Sequence, residues 1–142
     1  MRDLFEHKIS FNEVLGLRIL SFDPASPRVR IDMRPQLVGH FAYGRLHGGV
    51  TAAILDACGG FALMLAVAEK HADESADQAM HRFLRVGTID LRIDYLRPGL
   101  GKHFDATAQV IRLGGRIGSV QMHLASDDGT LVATAAGAYV IS

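Results

Sequence analysis

The hydrophobic and polar positions of this chain change period several times, and each change marks an element. Over residues 2 to 15, Leu4, Phe5, Ile9, Phe11, Val14 and Leu15 recur at loose helical spacing, and Gly16 ends the pattern. Leu17, Ile19 and Ser21 then alternate with Arg18, Leu20 and Phe22. After a turn bracketed by Pro24 and Pro27, Val29, Ile31 and Met33 alternate with Arg28, Arg30, Asp32 and Arg34. Period two with one charged face predicts two strands of a hairpin. Pro35 to Arg45 reads as a loop. His47 to about Glu69 is apolar almost all round, which predicts a long helix that must be enclosed on most sides. His71 to Gln78 is polar and acidic, a loop or short exposed helix.

Four more strands follow. Thr88 to Leu96 alternates Thr88, Asp90, Arg92 and Asp94 with Ile89, Leu91, Ile93 and Tyr95. Beyond the turn Pro98-Gly99-Leu100-Gly101, Phe104, Ala106, Ala108 and Val110 alternate with Asp105, Thr107 and Gln109. Gly114-Gly115 is a hairpin signal, and Asp127-Asp128-Gly129 divides Arg116–Ser126 from Thr130–Ile141. The order is strand, strand, long helix, four strands. It predicts one α+β domain over residues 1–142, an antiparallel sheet curved around a buried helix behind an N-terminal helical segment.

Composition narrows the function classes. Fifteen basic residues balance fifteen acidic ones among 142, so no bulk charge draws the chain to nucleic acid or anionic membrane. Val50 to Ala68 has nearly the length of a membrane span, but Asp56 near its centre costs roughly 3 kcal/mol on insertion scales, which favours a core helix. The single cysteine, Cys58, excludes an intrachain disulfide and reads as core filler in a reducing, cytoplasmic setting.

Two features carry possible chemistry. Gly48 and Gly49 open the long helix, where they permit close approach and present free N–H groups to a carbonyl or developing oxyanion. Flexibility of the preceding loop is the plainer use of the same glycines. Asp56 is the only charge between His47 and Glu69. Burial favours the neutral form of a carboxyl, which suits a general base; satisfaction by Arg or backbone donors is the structural alternative. His47 and Asp56, nine residues apart, lie roughly 180° apart around a helix and roughly 13 Å apart along it. They serve one site only if two subunits each supply one half. His40 is placed either to orient a ligand or water or to stand in solvent. A metal site from His40, His47 and Asp56 lacks a helical i, i+4 pair, and no metal or cofactor is expected. Phe61, Met64 and Leu65, past Asp56, either line a tunnel or belong to the core. Arg92, Arg97, Arg112 and Arg116 fall at strand ends or beside turns, open to phosphate or simply solvated.

The pattern His47-Gly48-Gly49-Val50 with Asp56 six residues on resembles that of the hotdog-fold acyl-CoA thioesterases of the PaaI type. Gly87-Thr88-Ile89-Asp90-Leu91-Arg92-Ile93-Asp94-Tyr95-Leu96-Arg97-Pro98 resembles the same family's third strand, and is most similar to its bacterial YigI branch, associated with medium- and long-chain acyl-CoA. The likeness runs from about Phe11 to Ile141. It implies a helix wrapped by a six-stranded antiparallel sheet, paired into a homodimer and often a tetramer. It implies that the Gly48 N–H polarises the thioester carbonyl, that Asp56 of the partner subunit activates water or attacks, and that His47 holds the loop or the thioester. Thr88 matches a hydroxyl that helps place the water. Tyr95, Leu96, Arg97, Pro98 and Gly99, with Gly114, Gly115, Arg116 and Ile117, match segments that contact coenzyme A, and Arg97 and Arg116 suit its phosphates. The family often carries Asn before the His-Gly-Gly turn, where this chain offers His40. A non-catalytic acyl-CoA-binding protein, a thioesterase for aromatic acyl groups and a hydroxyacyl dehydratase are the competing readings.

Overall fold

A computed structural model describes residues 1–142, and six of the alternating segments join in one antiparallel sheet. These are β1 (Arg18–Ser21), β2 (Arg28–Asp32), β5 (Gly87–Tyr95), β6 (His103–Leu113), β7 (Ile117–Ser126) and β8 (Leu131–Val140), in spatial order β1-β2-β6-β7-β8-β5. The helix α2 (Gly48–Lys70) packs against the inner face, mostly on β6 and β7. The expected hotdog architecture is therefore present. The alternation of β6 to β8 explains itself: Phe104, Ala106, Val120, Met122, Leu124, Ala133 and Ala135 point at the helix and are buried. Ile54, Leu55, Cys58, Phe61, Ala62 and Leu63 answer from α2 with no exposed surface. Of the most apolar 18-residue stretch of α2, 67% is buried, so the sheet covers what would otherwise look like a membrane span. Cys58 is core filler as expected, and burial pushes its thiol pKa up to about 12.

Several expectations are corrected. The helix begins at Gly48, because His47 is its extended cap residue, and it runs to Lys70. The loop over Pro35 to Arg45 contains a 3₁₀ turn (Pro35–Leu37) and a ribbon of β3 (Val38–His40) with β4 (Arg45–Leu46). Strands of three and two residues are too short to show a period. The acidic segment from His71 leads into α3 (Ala76–Phe83), longer than the sequence implied. Ser75 caps it in a reciprocal pair with Gln78, and Phe83 anchors it in the core. The N-terminal helical segment is two pieces, a π-type turn (Leu4–Lys8) and α1 (Ser10–Leu15), joined at the extended residue Ile9.

The most consequential correction is in β5. A bulge between Thr88 and Asp90 shifts the alternation by one residue. Ile89 is turned away from α2, while Thr88, still solvent-exposed at the sheet edge, turns its hydroxyl toward α2 beside Tyr139, its cross-strand neighbour on β8. β5 is also the last strand of the sheet, so the outer edge of its nine residues has no partner within the chain.

At Gly59 the helix and β8 approach each other closely. A Cβ there would sit 2.5 Å from Tyr139 Oη and 2.6 Å from Met122 Sδ, both on buried side chains. Gly59→Ala is expected to cost about 1–3 kcal/mol of stability through overpacking. Urea unfolding checks this; an unchanged midpoint would show that the contact is slack.

Candidate active site

Asp56 sits in the third turn of α2, half-buried rather than enclosed. Its Oδ1 accepts a hydrogen bond from Thr88 Oγ1 at 2.7 Å and another from Tyr139 Oη at 3.1 Å. Tyr139 Oη also lies 3.1 Å from the Asp56 carbonyl oxygen. The carboxylate is thus satisfied neither by Arg nor by backbone N–H groups but by two hydroxyls from one cross-strand pair. Both donors fall on Oδ1, and Oδ2 makes no hydrogen bond within the chain. Asp56, Thr88 and Tyr139 line one cleft of about 260 Å³ whose remaining walls are mostly apolar. A carboxylate with one oxygen fixed and one free can hold a water or accept its proton.

Tyr139 was not anticipated. It occupies an apolar position in the alternation of β8, and only its hydroxyl distinguishes it from core. A buried tyrosine hydroxyl needs a partner, and that was the available signal. Its pKa is raised well above the ordinary value, by burial first and by the adjacent Asp56 charge second.

The helix start is organised separately. His47 Nδ1 accepts the Gly49 N–H at 2.8 Å, and the His47 N–H donates to the Leu37 carbonyl at 2.8 Å. His47 therefore holds the turn, and a neutral ring accepting at Nδ1 carries its proton on Nε2. Tyr95 Oη donates to the Gly48 carbonyl at 2.8 Å, tying the turn to the far end of β5. The Gly48 N–H comes first in the helix and has no intrahelical acceptor.

Other candidates lie apart. His40 is on the β3–β4 ribbon, where its Nδ1 accepts the Ala42 N–H at 3.3 Å and its ring stacks on Phe41. His40, His47 and Asp56 do not gather into a metal-ligating group. Leu96 and Pro98 are exposed just past β5, while Gly99 is buried against Leu46. Arg97 Nη1 donates to the Leu131 carbonyl at 3.0 Å. Gly114 closes the β6–β7 hairpin, with Gly115, Arg116 and Ile117 exposed beside it. Arg97 contacts one end of β8, and Arg116, bonded through its carbonyl to Ile141, marks the other. Nine residues of strand between Val132 and Ile141 put about 30 Å between those ends. Of the helix residues weighed as tunnel wall, Met64 lines the cleft, and Phe61 and Leu65 are core.

A sheet wrapped on one apolar helix, with a hydroxyl-held carboxylate on that helix and a free N–H at its start, defines a class, and the comparisons agree with it. The Thioesterase superfamily model matches residues 43–133. The chain belongs to this superfamily and is a thioester hydrolase. It is 34% identical to the medium/long-chain acyl-CoA thioesterase YigI of Salmonella typhimurium over 98% of this chain and 90% of that protein. The protein of the same name from Escherichia coli is 32% identical over the same shares. A crystal structure from Shewanella oneidensis, described as related to the thioesterase superfamily, superposes with a TM-score of 0.94 at 37% identity, covering 99% of this chain and 92% of that one.

The raised Tyr139 pKa predicts an alkaline signature. The unfolded chain releases this proton near about pH 10, and the folded chain holds it to higher pH. The contribution is fully present below about pH 10 and is lost as pH rises through the folded value. Stability should fall less steeply between about pH 9 and about pH 11 in Tyr139→Phe than in wild type. Urea midpoints at the two pH values check this, and equal losses would show that the phenol ionises freely in the fold.

Proposed function

We propose that the protein hydrolyses acyl-CoA thioesters with medium- to long-chain aliphatic groups, at two equivalent sites in a homodimer. The observation that carries this reading is the attachment of the site's two halves to opposite ends of one edge strand. Asp56 is bonded to Thr88 at the start of β5, and Gly48 to Tyr95 at its end. Seven residues of strand, about 23 Å, separate Thr88 from Tyr95. One chain cannot apply both to one carbonyl. A two-fold axis crossing β5 near Leu91 and Arg92 pairs the free edges of two antiparallel copies and sets Thr88 of one chain opposite Tyr95 of the other. The Gly48 turn of one subunit then faces Asp56 of the partner subunit. The same operation moves Arg97 of one chain toward the Arg116 end of the other, which suits a coenzyme A lying across both. The tetramer, as a dimer of dimers, and a cytoplasmic location belong to the same reading.

In this mechanism the thioester oxygen lies at the Gly48 N–H, where the helix dipole adds to the donor as negative charge builds on the oxygen. Asp56 accepts a proton from water at Oδ2 while Thr88 and Tyr139 hold Oδ1. The water oxygen bonds to the thioester carbon, the C–S bond breaks, and the thiolate of coenzyme A leaves with the proton returned. Attack by Asp56 itself, through an anhydride that water then opens, uses the same groups. The medium/long-chain activity named for the YigI relatives and the apolar cleft beside Asp56 support an aliphatic acyl group.

Thiol release from a panel of acyl-CoA esters tests this. Asp56→Asn keeps the volume and a hydrogen-bond acceptor, and should lower kcat about 10²–10⁴-fold without unfolding the protein. Gly48→Pro removes the N–H in a backbone that proline suits, since it is the first helical residue and His47 already has extended angles, and the added Cβ meets Tyr95 Cε1 at 3.4 Å, an ordinary contact. It should cost about 10²–10³-fold. Full activity in either variant contradicts the mechanism, and binding of acyl-CoA without hydrolysis by wild type replaces the enzyme with a binding protein.

A further inference from the structure

The cleft that begins at Asp56 has a roof of its own. Its floor is one face of α2, where Ala53, Ala57 and Gly60 leave a trough that Met64 ends. Asp56 and Met64 are eight residues apart, about 12 Å along the helix axis. The roof comes from the N-terminal helical segment, through Phe5, Ile9, Phe11 and Asn12. We propose that this segment sets the acyl-chain length of the enzyme: a straight alkyl chain runs from Asp56 along the trough, and Ile9 and Phe11 decide how much of it fits. The inference rests on the acyl-CoA reading above and deepens it.

Three observations carry it. First, the cleft is continuous with the catalytic groups, since Asp56, Thr88 and Tyr139 line it together with the roof. An alkyl chain is the occupant that joins a reacting carbonyl to an apolar wall. Second, the roof is fastened to the body of the protein by bonds that the catalytic groups do not use. The buried Glu6 carboxylate accepts from the Ile19 N–H and from Arg2, each at 2.8 Å, and Arg2 also donates to the Ile19 carbonyl at 2.9 Å. The Phe5 ring packs on Phe61 at 4.9 Å, and the buried Asn12 donates to the Phe5 carbonyl at 2.8 Å, drawing α1 back over the turn. Third, the roof ends at the rim. Phe11 lines the cleft and yet is 60% exposed, so its ring marks where the cleft opens to solvent.

The length of the trough sets the scale. About 12 Å from Asp56 to Met64 takes an extended chain of about eight to ten carbons. Medium chains then lie along the trough, and longer chains emerge past Phe11 and bury their next carbons against its ring. Each methylene that gains or loses burial changes the preference by about fourfold.

The test compares wild type, Ile9→Trp, Phe11→Ala and Val14→Ala, the last an exposed residue of α1 that does not line the cleft. Two readouts are taken over one series from hexanoyl to octadecanoyl: kcat/KM for the CoA esters, and calorimetric binding of the free fatty acids. Ile9→Trp should shorten the preferred chain by about two carbons and lower the hexadecanoyl-to-octanoyl ratio by more than about tenfold. Phe11→Ala should lower the values for chains longer than about ten carbons by more than about tenfold relative to octanoyl. Val14→Ala should follow wild type. Phe11→Ala, at an exposed position, keeps the test decisive where the tryptophan variant fails to fold. Parallel chain-length profiles in an active wild type and in both cleft variants overturn the inference and leave the thioesterase reading standing. Shifted fatty-acid binding with no hydrolysis of any ester keeps the pocket and removes the thioesterase reading. No hydrolysis and no shift in binding overturns both.

Discussion

The Asp56 carboxylate, held on one oxygen by Thr88 and Tyr139, is the interaction around which the rest of the structure is arranged. A charged group on an otherwise apolar helix is costly unless donors reach it. Here they arrive from the sheet. Tyr139 passes α2 only because residue 59 has no side chain, and Thr88 turns inward only because β5 bulges after it. Helix, edge strand and the next strand in are therefore set against each other by one carboxylate. What holds Asp56 in place also leaves its second oxygen to the cleft.

The edge strand gives that arrangement its larger consequence. β5 carries the Asp56 half of the site at one end and, through Tyr95, the Gly48 half at the other. Its unpaired backbone edge is a liability in an isolated chain and a template for a second copy. Antiparallel pairing of two such edges exchanges ends, which is what a divided site requires. In this account dimerisation and catalysis share one geometric cause.

Much of this was legible in the sequence. The switch from period two to an apolar helical run and back laid out the wrapped sheet, because β7 and β8 are buried on one face along nearly their full length and β6 over its first half. Asp56 and the Gly48-Gly49 start stood out as violations of local rules, a charge and two glycines where a helix favours neither. Thr88 was reached only through resemblance, since the bulge that turns it inward leaves no trace in the alternation. Tyr139 was hidden because a tyrosine at an inward position reads as core until its hydroxyl is given a partner. The ribbon around His40 was too short to carry a pattern. The roofing role of Ile9 and Phe11 depends on how two helical pieces fold back over α2, a long-range fact that spacing along the chain does not encode.

The central claim is that each site takes Asp56 from one subunit and the Gly48 turn from the other. Subunit mixing tests it most directly. Asp56→Asn and Gly48→Pro are purified separately, combined in equal amounts, and allowed to exchange subunits, with exchange followed by native mass spectrometry. In a mixed dimer one site carries both lesions and the other carries neither. Half the dimers being mixed, thiol release should recover to about a quarter of the wild-type rate from two nearly inactive parents. Complete exchange with no recovery of activity would place both halves of the site in one chain and contradict the account.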